Sequence, residues 1–159
     1  MLSTNLPLAI SSWDEKEFIA MQEVIKSQKF SMGEKVKKFE ENFSKYLNCK
    51  HAVMVNSGSS ANLVMIASLF YTKKPFLKEG DEVIVPAISW STTYFPLHQY
   101  GLKIKFVDID KDTLNLDIKK LKEAISSSTK LIMAVNLLGN PNHFDQIKDL
   151  IKDKEIQLI

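Results

Sequence analysis

Residues 56–62 read Asn56-Ser57-Gly58-Ser59-Ser60-Ala61-Asn62, set between an apolar run at 51–55 and a helical pattern at 61–71. A strand that ends in a Gly/Ser turn and feeds directly into a helix is the opening of an α/β unit. It also leaves several backbone N–H groups without partners at the helix start. Together with the positive end of the helix dipole, those donors form a seat for a phosphate. Glycine lets the backbone approach a ligand closely, and the serine hydroxyls add donors. The same residues also make an ordinary N-cap, since Ser and Asn are favoured there.

Outward from this segment the chain alternates between apolar runs and helical patterns. Short apolar runs fall at 52–55, 82–85, 104–107, 131–135 and 156–159. Between them the helical spacing recurs at 61–71, 89–100, 116–126 and 143–152. Strands alternating with helices and buried on both faces predict a parallel sheet built from βαβ units. Two helices precede this region. One is expected over 14–28, with Phe18, Met21, Val24 and Ile25 at helical spacing behind caps at Ser11 and Ser12. The second is expected over 34–47, with Val36, Phe39, Phe43, Tyr46 and Leu47 on one face. The expected organisation is a helical arm at 1–48 and an α/β region at 49–159. The run at 156–159 ends without a turn or cap, which reads as the N-terminal part of a longer protein.

Composition narrows the class. The chain has 159 residues, is 45% hydrophobic and has a net charge of +2, as expected of a globular protein with one core. All 21 basic residues are lysines, dispersed among 19 acids. This argues against a nucleic-acid surface, which needs clustered basic side chains and usually Arg for base edges. The single cysteine, Cys49, supports neither a disulfide framework nor a cysteine metal site. No run reaches the roughly 20 apolar residues of a membrane span, and residues 1–10 lack the pattern of a secretory signal. The expected location is the cytoplasm. Asp108, Asp110 and Asp112 alternate after a strand, but they lack the glycine and distal Glu of a calcium loop and read as a turn. His51, His98 and His143 show no ligand spacing.

A set of short strings in one consistent order gives a family resemblance. They are Phe39-Glu40, Ala52 through Leu63, Gly80-Asp81-Glu82-Val83-Ile84-Val85-Pro86 and Phe106-Val107-Asp108-Ile109-Asp110. Thr113-Leu114-Asn115-Leu116-Asp117, Thr129-Lys130 and Leu138-Gly139-Asn140-Pro141 continue the order. Over about 30–159 the chain resembles the DegT/DnrJ/StrS family of nucleotide-sugar aminotransferases dependent on pyridoxal 5'-phosphate (PLP). The resemblance implies the aspartate-aminotransferase-like α/β fold, called PLP fold type I, with a mainly parallel sheet flanked by helices. This chain would supply the N-terminal arm and the first half of the large domain. It also implies a homodimer, a nucleotide-sugar substrate and an amino donor such as glutamate, in surface-polysaccharide or other amino-sugar biosynthesis.

The resemblance carries roles onto particular residues. Gly58, Ser59 and Ser60 correspond to the turn that holds the phosphate of PLP, or of its pyridoxamine form. Trp90 corresponds to the aromatic that stacks on the cofactor ring; read without the resemblance, it is a core aromatic at a helix start. Asn136 follows the strand at 131–135, where many relatives carry a His, and either reaches cofactor or substrate or caps its loop. The family's acidic partner of the pyridine nitrogen, and its Schiff-base lysine or the His replacing it, fall beyond Ile159. No catalytic residue is therefore assigned, and Lys105 and Lys130 are read as surface charges. Residues 1–159 alone are expected to be inactive.

Two reactions remain open on these residues. Residues 56–63 with Leu138-Gly139-Asn140-Pro141 resemble the C-3 dehydratases of 4-keto-6-deoxy sugars within the family, whereas aminotransferases more often show Ser-Gly-Thr and His-Leu. Aminotransfer to a nucleotide-linked keto-deoxy sugar is ranked first as the family's broad function, with dehydration next. A non-catalytic binding module that keeps only the phosphate seat is the alternative of another class.

Overall fold

The computed structural model describes Pro7 and residues 9–159. The chain divides into two compact units, Met1–Met54 and Val55–Ile159. In the first, α1 (Glu15–Ser27) starts at a capping box on Asp14 rather than at Ser11 or Ser12. The Asp14 carboxylate accepts from Lys16 N at 2.7 Å, and Glu17 Oε2 accepts from Asp14 N at 2.8 Å. Such a box satisfies amides that a helix cannot satisfy itself. α2 (Glu34–Tyr46) follows, and Lys35 Nζ donates to Glu23 at 3.0 Å. Neither helix buries a residue, and Phe18, Ile25, Phe30 and Tyr46 are all exposed.

The second unit is an α/β layer. After α3 (Gly58–Phe70) come β1 (Glu82–Pro86), α4 (Ser91–Gln99), β2 (Lys103–Val107) and α5 (Ile118–Ala124). They are followed by β3 (Thr129–Ile132), a 3-10 turn at Leu137–Gly139, α6 (Phe144–Ile151) and β4 (Gln157–Leu158). The four strands run parallel in the order β2-β1-β3-β4. The alternating side chains of the central strands separate two cores. Val83, Val85 and Leu131 pack with Ile66 of α3 and Leu97 of α4. Ile84 and Ile132 pack with Leu121 of α5 and Ile147 of α6. The centre of the sheet is thus buried on both faces, which explains why residues 83–85 and 131–135 read as continuous apolar runs rather than alternating ones.

The expected strand at 52–55 is not formed. Among the described residues no strand pairs with it, Val53 is 74% exposed, and Met54 N donates to Glu40 Oε1 at 2.8 Å instead. A strand is a pairing rather than a local property, so apolar patterning alone does not create one. Elsewhere the boundaries shift by a few residues: α3 starts at Gly58, and β3 ends at Ile132. Backbone bonds from Met133 N to Ile84 O (2.9 Å) and from Ala134 N to Ile159 O (2.8 Å) carry the path of β3 further. No helix of the described residues is long and apolar enough to cross a membrane.

Candidate cofactor site

The helix start at α3 is built by Ser57. Its backbone is extended, with φ −162° and ψ 162°, and its hydroxyl accepts from Ser60 N at 3.1 Å. The Ser57 carbonyl accepts from Ala61 N at 3.0 Å, the first regular helical bond. Gly58 and Ser59 therefore carry the two N–H groups of this turn that have no hydrogen-bond partner among the described residues. No acidic residue lies in the first turn to balance the positive dipole end. A Cβ added at Gly58 would meet no atom within 4 Å, so nothing crowds the backbone at this glycine. Two orphan donors, adjacent hydroxyls and an uncompensated helix terminus together fit a phosphate.

A second helix start lies beside the first. Between β1 and α4 the chain turns through Ala87, Ile88 and Ser89, and Trp90 is the N-cap residue of α4. The turn is held at both ends: Ala87 N donates to Val107 O at 2.7 Å, and Tyr94 Oη donates to Pro86 O at 2.8 Å. Burial pushes the Tyr94 phenol above its ordinary pKa, while its bond with Ser89 opposes the shift. The Ser89 and Thr93 hydroxyls are 2.9 Å apart. Asn62 Nδ2 donates to Thr92 O at 3.1 Å and ties α3 to α4. A cleft of about 190 Å³ opens between the two helices, lined by Ser59, Ser60, Leu63, Thr92 and Pro96 among others. The indole of Trp90 does not belong to either core and is 75% exposed.

The structure thus brings Ser59 and Ser60 beside α4, whose N-cap residue Trp90 lies past the carboxyl end of β1. Ligands of open α/β sheets bind at this edge. Asn136 lies past the carboxyl end of the adjacent strand β3, but its side chain is engaged locally. Its Oδ1 accepts from Asn142 N and from Asn142 Nδ2, each at 3.0 Å. That is a loop-holding role, and it leaves the Asn136 Nδ2 group for other partners.

The other polar candidates have structural partners. Asp110 Oδ1 accepts from Thr113 N at 2.9 Å and from Asp112 N at 3.0 Å, closing the turn. Asp108 pairs with Lys120 at 2.7 Å. Lys105 Nζ donates to Ala124 O at 2.6 Å, and Lys130 pairs with Glu155 at 3.3 Å. Sequence reading missed Asn62 and Tyr94. The available signal for Asn62 was a polar side chain at the head of an otherwise apolar helix.

Comparison with known proteins decides the family. The sequence profile of the DegT/DnrJ/EryC1/StrS aminotransferase family matches residues 11–159. The chain belongs to this family. It is 62% identical over 155 residues to GDP-4-keto-6-deoxy-D-mannose 3-dehydratase of Yersinia pseudotuberculosis, covering 98% of this chain and 39% of that protein. The solved structure of the E. coli GDP-4-keto-6-deoxy-D-mannose-3-dehydratase with bound hydrated PLP superposes with a TM-score of 0.95 at 62% identity. The match covers 97% of this chain and 40% of that one. UDP-4-amino-4-deoxy-L-arabinose–oxoglutarate aminotransferase of Shewanella sediminis is 30% identical, over 97% of this chain and 38% of the relative. The chain therefore spans about two-fifths of the length of these relatives, within the PLP fold expected from the sequence.

Proposed function

We propose that this chain is part of a PLP-dependent C-3 dehydratase acting on a GDP-linked 4-keto-6-deoxy sugar. The observation that carries the reading is the identity of 62% to a dehydratase of that substrate, against 30% to the sugar aminotransferase. Aminotransfer, ranked first as the family's broad function, thereby becomes the second reading, supported at the level of the family. Glutamate is the proposed amino donor, because a 3-dehydratase with 61% identity was solved with a trapped PLP-glutamate geminal diamine.

In this reading residues 49–159 contribute the first half of the large domain and hold one side of the cofactor. PLP, when bound, supplies the electron sink for carbanion chemistry. The free amides of Gly58 and Ser59 bind the phosphate, and the hydroxyls of Ser59 and Ser60 complete its shell. The uncrowded backbone at Gly58 fits that group. The exposed indole of Trp90 covers the ring face and excludes water from it. The Asn136 amide, fixed by Asn142, is available to a polar group of cofactor or substrate at the same sheet edge.

The discriminating experiment incubates the full-length protein with PLP, glutamate and GDP-4-keto-6-deoxy-D-mannose, followed by mass spectrometry of the sugar nucleotide. Loss of the C-3 oxygen supports the dehydratase. An amino group gained on the sugar returns the assignment to aminotransfer, and an unchanged sugar nucleotide favours the non-catalytic module. Residues 1–159 alone are expected to leave the sugar unchanged.

A further inference from the structure

α4 contains a proline at position 96, and this has a consequence for the cofactor site. In a regular helix the carbonyl of Thr92 accepts from the N–H of the residue four positions later. That residue is Pro96, which has no N–H. The Thr92 carbonyl therefore loses its helical partner, in a part of the fold where Thr92 and Pro96 line the cleft against α3. The donor that replaces it comes from the neighbouring helix: Asn62 Nδ2 reaches Thr92 O at 3.1 Å.

The placement of this bond is informative. Asn62 lies two residues after Ser60, and Thr92 lies two residues after Trp90. One hydrogen bond thus joins the start of the second turn of the helix that presents the phosphate donors to the first turn of the helix that follows the indole. We infer that Asn62 is a positioning residue, which through the carbonyl freed by Pro96 fixes Trp90 relative to the Gly58–Ser60 amides. This inference rests on the cofactor reading proposed above. Asn62 binds no part of the cofactor; it sets the distance between a phosphate seat and a ring platform that must be occupied together.

The test is a double-mutant cycle in the full-length protein, read by PLP titration and by competition with inorganic phosphate. Asn62→Leu is expected to weaken PLP binding about three- to tenfold. Its affinity for inorganic phosphate should stay within twofold of the parent, because the α3 amides are untouched. Combined with Trp90→Ala, the Asn62→Leu change should add less than twofold to the loss that Trp90→Ala causes alone. The variant Asn62→Leu with Pro96→Ala restores a backbone N–H at position 96, so Thr92 is satisfied within its own helix. Its apo thermal stability should recover while PLP affinity stays low.

PLP affinity that recovers with stability would overturn the inference, as would losses that multiply in the cycle. Should Asn62→Leu alone fail to fold, the stabilised double variant decides by the same comparison. Failure of the underlying reading is distinguishable: the parent protein would then bind no PLP, or Trp90→Ala alone would leave its affinity unchanged.

Discussion

Replacing Trp90 by Ala separates a cofactor platform from a core residue, because the two roles predict different sizes for two measurable quantities. Trp90 is 75% exposed, so only about a quarter of its surface is covered by the protein. For an aromatic side chain of up to ~250 Å² that is roughly 60 Å², worth about 1.5 kcal/mol at ~25 cal/mol per Å². A core tryptophan would cost about 3–5 kcal/mol on truncation. Stacking on a bound ring contributes on the order of 0.5–1.5 kcal/mol beyond area burial, or a roughly two- to thirteenfold fall in cofactor affinity. Thermal unfolding of the apo full-length protein, paired with PLP titration by absorbance, measures both quantities on one sample. The expected outcome is a modest shift of the apo melting temperature with a clear loss of affinity. An apo protein destabilised by more than about 3 kcal/mol, with normal affinity in the folded fraction, would refute the reasoning.

Other outcomes follow from the same geometry. Changing Ser59 and Ser60 together to Ala should weaken PLP binding by about 1.5–3 kcal/mol per lost bond to the charged phosphate, as read by the same titration; unchanged affinity would remove the hydroxyls from the seat. Lys120 holds the Asp108 carboxyl below its ordinary pKa, chiefly through their hydrogen bond. A depressed carboxylate contributes stability that is present above its unfolded value and lost as pH falls through the folded one, here below about pH 4. In Lys120→Met, the Asp108 titration followed by NMR should move up toward the ordinary range. The apolar side chains left exposed on α1, on α2 and in the turn between them, among them Phe18, Ile25 and Phe30, lead us to expect a homodimer of the full-length protein in light scattering. A monomer at micromolar concentration would contradict that expectation.

Much of the fold was legible because its strands carry their own signal. The apolar runs at 82–85 and 131–135 are long enough, and closely enough bounded by turns and helices, that burial on both faces was the natural reading, and strands form at Glu82–Pro86 and Thr129–Ile132. The run at 52–55 carried the same signal and misled, since the exposed Val53 finds no strand partner among the described residues. At the candidate site, Gly58, Ser59 and Ser60 could be found from local grammar, because a helix N-terminus is a local object. The bond between Asn62 and Thr92 could not. It joins residues 30 positions apart and depends on Pro96 removing a donor, which becomes visible only once two helices are placed side by side. Asn136 lies between these cases: its position after a strand was readable, but its engagement by Asn142 required the folded loop.

The central claim is that the first turn of α3 seats the cofactor phosphate. A crystal structure of the full-length protein soaked with PLP tests it most directly. Phosphate oxygens are expected within about 3 Å of the Gly58 and Ser59 amides, with the pyridine ring against the Trp90 indole. A PLP phosphate bound elsewhere, with those two amides facing water, would contradict it.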